Sequence, residues 1–190
     1  MTQENRLKHI SSEKVQTHFI KAMLDITHFA PKEYCYSATT NHWVDIEYFE
    51  DNLERQLYKL VFLLHPLLSI LEAVRAEFKS PVVITSGIRD LEVWYSLYGF
   101  GYPISKTTDH SYGFSYNPFG VGAIDHFVVG VNIEDVYKYE KSRFGYLVGQ
   151  LILYKKSRFI HMSNPRNLVY SNKFIHYNYK THEKFIEWDK

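Results

Sequence analysis

DNLERQLYKLVFLLHPLLSILEAVRAEFKSPVVITS, residues 51–86, holds the two patterns that decide the fold. In its first part Leu53, Leu57, Leu60, Leu64, Leu67, Leu68, Leu71 and Val74 fall on one face of a helix. Asp51, followed one turn later by Glu54, gives a capping-box-like start. The middle of this helix is apolar on nearly every side, so the spacing predicts a buried spine. Pro66 lies inside it and removes the hydrogen bond to the carbonyl of Phe62, so a kink or a break into two helices is expected there. The pattern then changes. Residues 81–86, PVVITS, are short, β-branched and bounded by Pro81 and Gly87, which predicts a buried strand.

Upstream, Val15, Phe19, Met23 and Ile26 share one helical face, which predicts a helix over 12–28 capped by Ser11 or Ser12. Pro31 lies beyond its end, and 29–50 read as an irregular connection. Downstream, 90–98 suit one or two helical turns. Gly99, Gly101, Pro103, Gly113, Pro118 and Gly120 make 99–120 a loop. Residues 121–129 read as a strand, Asn132 as the cap of a helix over 133–142, and 145–154 and 157–163 as two more strands. Leu168, Tyr170, Phe174 and His176 suggest a last strand or hairpin over 167–179. Helices first and adjacent strands after them predict an α+β fold, with N-terminal helices packed on a mostly antiparallel sheet.

Composition narrows the function. With 22 Lys+Arg against 21 Asp+Glu the net charge is +1, which argues against a nucleic-acid binder or a polybasic membrane patch. The longest apolar run, residues 60–64, is too short to cross a bilayer, and MTQENRLKHISSEK at the start lacks the apolar centre of a signal peptide. No membrane partner is expected. A single cysteine, Cys35, suits a reducing compartment and reads as a core residue. Aromatic residues reach 17%, which fits either an aromatic core or a surface that stacks on sugars or docks on protein. The same two readings hold for Tyr112, Phe114, Tyr116 and Phe119. Lys155, Lys156 and Arg158 read as a solvated turn.

Three side chains could do chemistry together: His110 in TTDHSYG, Asp125 in VGAIDHF and His161 in RFIHMS. Two imidazoles and a carboxylate are good zinc ligands. Three protein ligands leave a coordination position open for water, whose proton the ion makes easier to lose. With ten histidines in the chain, a triad by chance is easy to find, so spacing alone favours a hydrogen-bonded structural role over a ligand set.

The order and flanks of these residues point further. PVVITSGIRD carries a strand ending in Ser86, Gly87 and Arg89. LLSILEAVRAEFKS precedes it, His110 and GAID with Asp125 follow, and GQLILYKKSRFIHMS closes with His161. In this order the chain resembles the M15 family of zinc D-Ala-D-Ala carboxypeptidases and peptidoglycan endopeptidases, especially phage-encoded members. The resemblance implies one M15-like domain over 1–190. Residues 1–50 would be a helical N-terminal extension, 51–170 the family-like core and 171–190 a tail. It implies zinc held by His110, Asp125 and His161, with Arg89 beside it to meet negative charge on a substrate. The partner would be peptidoglycan peptide, and the place of synthesis a host cytoplasm.

Two departures from the family pattern matter. The interval from His110 to Asp125 is longer than the family's short loop, and a compact register would put Asn117, a poorer ligand, in the aspartate's place. The position three before His161, where a general base is usual, holds Arg158, which cannot accept a proton. Asp109 and His126 are the nearest substitutes in sequence, yet His126 should face the opposite side of a strand from Asp125. A second reading follows: an M15-like fold without catalysis, serving as a phage virion component whose partners are other virion proteins.

Overall fold

A computed structural model of the protein describes residues 23–38, 40–44, 53–100, 109–112, 120–165 and 185–188. Helix α1 spans Pro31–Cys35 and leads into a two-stranded ladder, β1 (Tyr36–Ser37) with β2 (His42–Trp43). Then come α2 (Leu53–Phe78), β3 (Val82–Ser86), α3 (Leu91–Tyr98), a 3-10 turn at Asp109–Ser111 and β4 (Ala123–Val128). Helix α4 (Ile133–Phe144), β5 (Gln150–Tyr154), β6 (Phe159–Ser163) and β7 (Phe185–Trp188) complete the order. The main sheet runs β3-β4-β6-β5-β7, with its first three pairings antiparallel and β7 parallel to β5. The fold is α+β with a mostly antiparallel sheet.

The sheet has two unlike faces. Ile124, His126 and Val128 of β4, Leu151 and Leu153 of β5, and Ile160 and Met162 of β6 point one way, and all are buried. Helices α2 and α4 cover that face. From α2 come Leu60, Leu63, Leu64, Leu67, Leu68, Leu71 and Val74, each almost without exposure, and each leucine contributes about 1.5–3 kcal/mol by leaving water. Asp125, Phe127, Phe159, His161 and Tyr154 point the other way, where Phe127, Phe159, His161 and Tyr154 are only half-buried.

Several expectations need correction. Helix α2 is continuous through Pro66 rather than broken into two. Pro66 is exposed and Phe62 is 56% exposed, so the carbonyl left without a partner lies on the side that water reaches. The expected helix over 12–28 does not hold at its described end, where 23–28 is turn. There the N–H groups of Thr27 and His28 donate to Glu72 Oε1 of α2, at 2.7 and 2.8 Å, instead of to a preceding turn. The stretch read as irregular, 29–50, contains α1, β1 and β2. The strands expected from 145 and 157 begin at Gln150 and Phe159, after turns. The expected strand over 167–179 and the cap at Asp51 lie outside the described residues, while β7 was not anticipated. Asn132 does cap α4, accepting from the Glu134 N–H at 3.0 Å. Cys35 and Tyr112 are core residues with no exposure, Lys156 and Arg158 are exposed in the β5–β6 turn, and Phe114, Tyr116 and Phe119 lie outside the described residues. No helix among the described residues is long and apolar enough to cross a membrane.

Candidate metal centre

Strands β4 and β6 supply two of the three candidate ligands. Asp125 stands directly opposite His161 in the ladder, and opposite residues of an antiparallel pair project from the same face. Ser86, at the end of β3, stands opposite Asp125 on its other side.

His110 arrives from the 3-10 turn, which four contacts pin against the strand ends. Gly122 N–H donates to the Asp109 carbonyl at 2.8 Å, and Arg89 N–H to the His110 carbonyl at 3.0 Å. The buried Tyr112 hydroxyl donates to the Ala123 carbonyl at 3.0 Å. The His110 ring itself donates Nδ1–H to the Gly87 carbonyl at 2.7 Å. Tyr112 adopts φ 52°, a left-handed conformation uncommon for a bulky residue, and this ends the turn. Gly87 has to be glycine, because a Cβ there would collide with the Tyr34 backbone of α1.

The Gly87 contact sets the chemistry. A carbonyl only accepts, so it fixes the proton on Nδ1 and leaves Nε2 of a neutral ring as a bare lone pair. That lone pair faces Asp125 Oδ1 at 3.2 Å. A carboxylate oxygen also only accepts, so the two repel unless a proton or a cation stands between them. A proton on Nε2 is disfavoured: burial, with the Arg89 charge added, lowers the His110 pKa to about 4. The geometry therefore suits a cation. His161 presents Nδ1 to the same Oδ1 at 2.7 Å, and ligand-capable atoms of all three residues lie within 4.8 Å of one another. Zinc bonds of about 2.0–2.2 Å in a tetrahedron separate ligand atoms by about 3.3 Å. The His110 pair already has that spacing, and the His161 pair needs to open by roughly half an ångström.

Arg89 acts on the carboxylate. Its guanidinium donates to Asp125 Oδ2 at 2.8 Å and its Nε–H to Ser86 Oγ at 2.9 Å, so Oδ1 is turned towards the histidines. Burial raises the Asp125 carboxyl, but a positive charge held against Oδ1 by His110 or His161 outweighs it and keeps the carboxyl well below the usual carboxylate range. The group is therefore an ionised candidate ligand at neutral pH. The side chains of His161 and Arg89 are 12% and 14% exposed, which makes them the open side of an otherwise buried cluster.

A cleft of about 1090 Å³ reaches this point along the half-buried face. Asp125 and Arg89 border it, as do Phe127, Phe159 and Arg158 on the sheet side and Lys32 with Tyr36 on the α1–β1 side. Arg158 closes the β5–β6 turn with φ 56°. Among the described residues that line the cleft, Glu33 and Asp125 are the only acids. His126 faces the helices, as expected, and its Nε2 meets Glu140 Oε1 at 2.6 Å with both side chains fully buried. It is on the wrong side of the sheet to serve as a base. Asp109 is buried beside His110.

All three candidate ligands named from the sequence thus converge, with Arg89 beside them. Sequence reading missed the Gly87 carbonyl, Tyr112 as the anchor of the turn, and the His126–Glu140 pair. The first is a backbone group and leaves no residue-type signal. Glu140 could have been found as an acid on the buried stripe of α4, next to Val136 and Tyr137. No protein-family model matches the chain, and no curated protein and no solved structure matches it either.

Proposed function

We propose that this chain is a zinc-dependent, M15-like peptidase that acts on bacterial peptidoglycan peptide, as a D-Ala-D-Ala carboxypeptidase or an endopeptidase. The observation that carries the proposal is the His110 Nε2 lone pair aimed at an ionised, buried carboxylate with His161 alongside. Zinc in that position would polarise a scissile carbonyl and make a water more acidic. The chain's own residues would do the rest. The Gly87 carbonyl keeps the His110 tautomer, and Arg89 keeps Asp125 oriented. Where a substrate approaches, the guanidinium, itself 14% exposed, offers positive charge to a carboxylate or a developing oxyanion.

The second reading, a phage virion component with an M15-like fold and no catalysis, is favoured by Arg158. It stands where a base would be expected, exposed and cationic. In both readings the protein is made in a host cytoplasm. The experiment is hydrolysis of a cell-wall pentapeptide by zinc-loaded protein, followed by mass spectrometry, beside the His161→Ala variant. Cleavage by the parent that the variant lacks supports the peptidase. Zinc-loaded parent that leaves the pentapeptide and whole peptidoglycan intact favours the virion component.

A further inference from the structure

The cleft is bordered by more than side chains. Among the described residues β3 pairs with β4 on one side and with no strand on the other, so its outer edge is free of strand pairing. That edge lies on the cleft, through Ile84, Thr85 and Ser86. The ladder alternation fixes which groups point outward. Val129 N–H donates to the Pro81 carbonyl, so 81/129 and 83/127 are the hydrogen-bonded pairs and 82/128 and 84/126 are not. The N–H and C=O of Val82 and Ile84 therefore turn away from β4. A bulge at Thr85 ends the regular ladder, and the next residues, Ser86 and Gly87, touch Arg89 and His110. Within the cleft the edge is offered by Ile84 to Ser86, Val82 being buried, and it runs towards the candidate metal ligands up to the point where the Tyr34 backbone of α1 packs on Gly87 and Ile88.

The walls of the cleft carry positive charge. Lys32 and Arg158 border it without an ion pair among the described residues, Lys32 lying 5.0 Å over the Tyr36 ring. Glu33, on the same wall, commits Oε1 to the Ala30 N–H at 2.8 Å. Asp125 is already matched by Arg89.

We propose that the outer edge of β3 docks an extended acidic peptide as an added strand, delivering one of its bonds to the His110–Asp125–His161 centre. An exposed edge recognises backbone through the N–H and C=O groups of alternate residues, while flanking side chains choose the sequence. Here the flanking cations choose acid. Calling that peptide the substrate rests on the peptidase reading above.

The test is fluorescence-anisotropy binding of a labelled hexapeptide of alternating glutamate and valine to the full-length zinc-loaded protein. Two N-methylated forms are compared, each blocking one alternate set of amides. One should bind about tenfold or more weakly than the parent, the other about equally. The Arg158→Glu variant should weaken the glutamate peptide about tenfold and strengthen a lysine–valine counterpart. Equal binding of the two N-methylated forms, or no binding of the parent peptide, would overturn the proposal. Cleavage is scored separately: register-dependent binding without cleavage of any peptide keeps the docking edge and removes the peptidase. Cleavage of cell-wall peptide without register-dependent binding keeps the peptidase and removes the edge.

Discussion

Asp125 and His126 are consecutive residues of β4, and each joins a histidine–carboxylate arrangement of a different kind. On the buried face His126 and Glu140 meet one to one, with no exposure and, among the described residues, no third partner for the ring. On the half-buried face one carboxylate oxygen is shared by two imidazoles, a guanidinium holds the other oxygen, and a cleft opens beside it. The residue types are alike, yet the first pair holds a helix to a sheet and the second has the form of a ligand set. The difference lies in stoichiometry and access. The sealed pair is closed to water and to any ligand, even though His126 Nδ1 and Glu140 Oε2 find no hydrogen-bond partner among the described residues. A carboxylate facing an imidazole lone pair asks for a cation.

The largest effect should follow from opening the sealed pair. Glu140→Leu leaves a buried imidazole without its acceptor and should lower stability by about 3–5 kcal/mol in urea denaturation, while folded protein keeps its full metal stoichiometry. A loss of metal without a loss of stability would mean that the two faces are not independent. His161→Ala should behave in the opposite way. Metal affinity should fall by more than about 100-fold in chelator competition, with a smaller stability change because the ring is partly exposed.

Gly87→Ala touches both. The new methyl presses on the Tyr34 backbone and should cost about 1–3 kcal/mol. It also shifts the carbonyl that holds His110, so metal affinity should drop about 10-fold in the same competition assay.

Acid should also destabilise metal-free protein. His110 has its pKa lowered to about 4 in the fold against 6.5 as the ordinary value. The unfolded chain therefore binds more protons between those values. The contribution to stability is complete above pH 6.5 and is lost as pH falls towards 4, and the lowered Asp125 carboxyl extends the loss below that. Urea midpoints of metal-free protein at pH 7 and pH 4.5 should differ in this direction, and the His110→Asn variant should flatten the upper part of the profile.

What could be read beforehand follows from the range of each interaction. The leucine spacing of α2 and the β-branched run of β3 are local signals, and both elements are where the sequence put them. The convergence of His110, Asp125 and His161 was legible through order and flanks. Their exact relation was not, because it depends on the β4–β6 register and on a backbone carbonyl at Gly87. The turn at 23–28 shows the same limit. Met23 and Ile26 have helical spacing, but Glu72 of α2 takes the Thr27 and His28 N–H groups, a tertiary partner that spacing cannot reveal. Pro66 was expected to kink or break the helix; the helix runs on through it, with Pro66 on the exposed side. Asp125 in VGAIDHF meets both histidines, and Asn117 lies outside the described residues. The alternation of a strand also separated Asp125 from His126 correctly.

Elemental analysis of purified protein dialysed against a small excess of zinc is the most direct measurement. About one zinc per chain in the parent, retained by Glu140→Leu and missing from His161→Ala, is the result that the shared carboxylate requires. Zinc-free parent protein, or zinc still present at full stoichiometry in His161→Ala, would contradict a metal centre on the half-buried face.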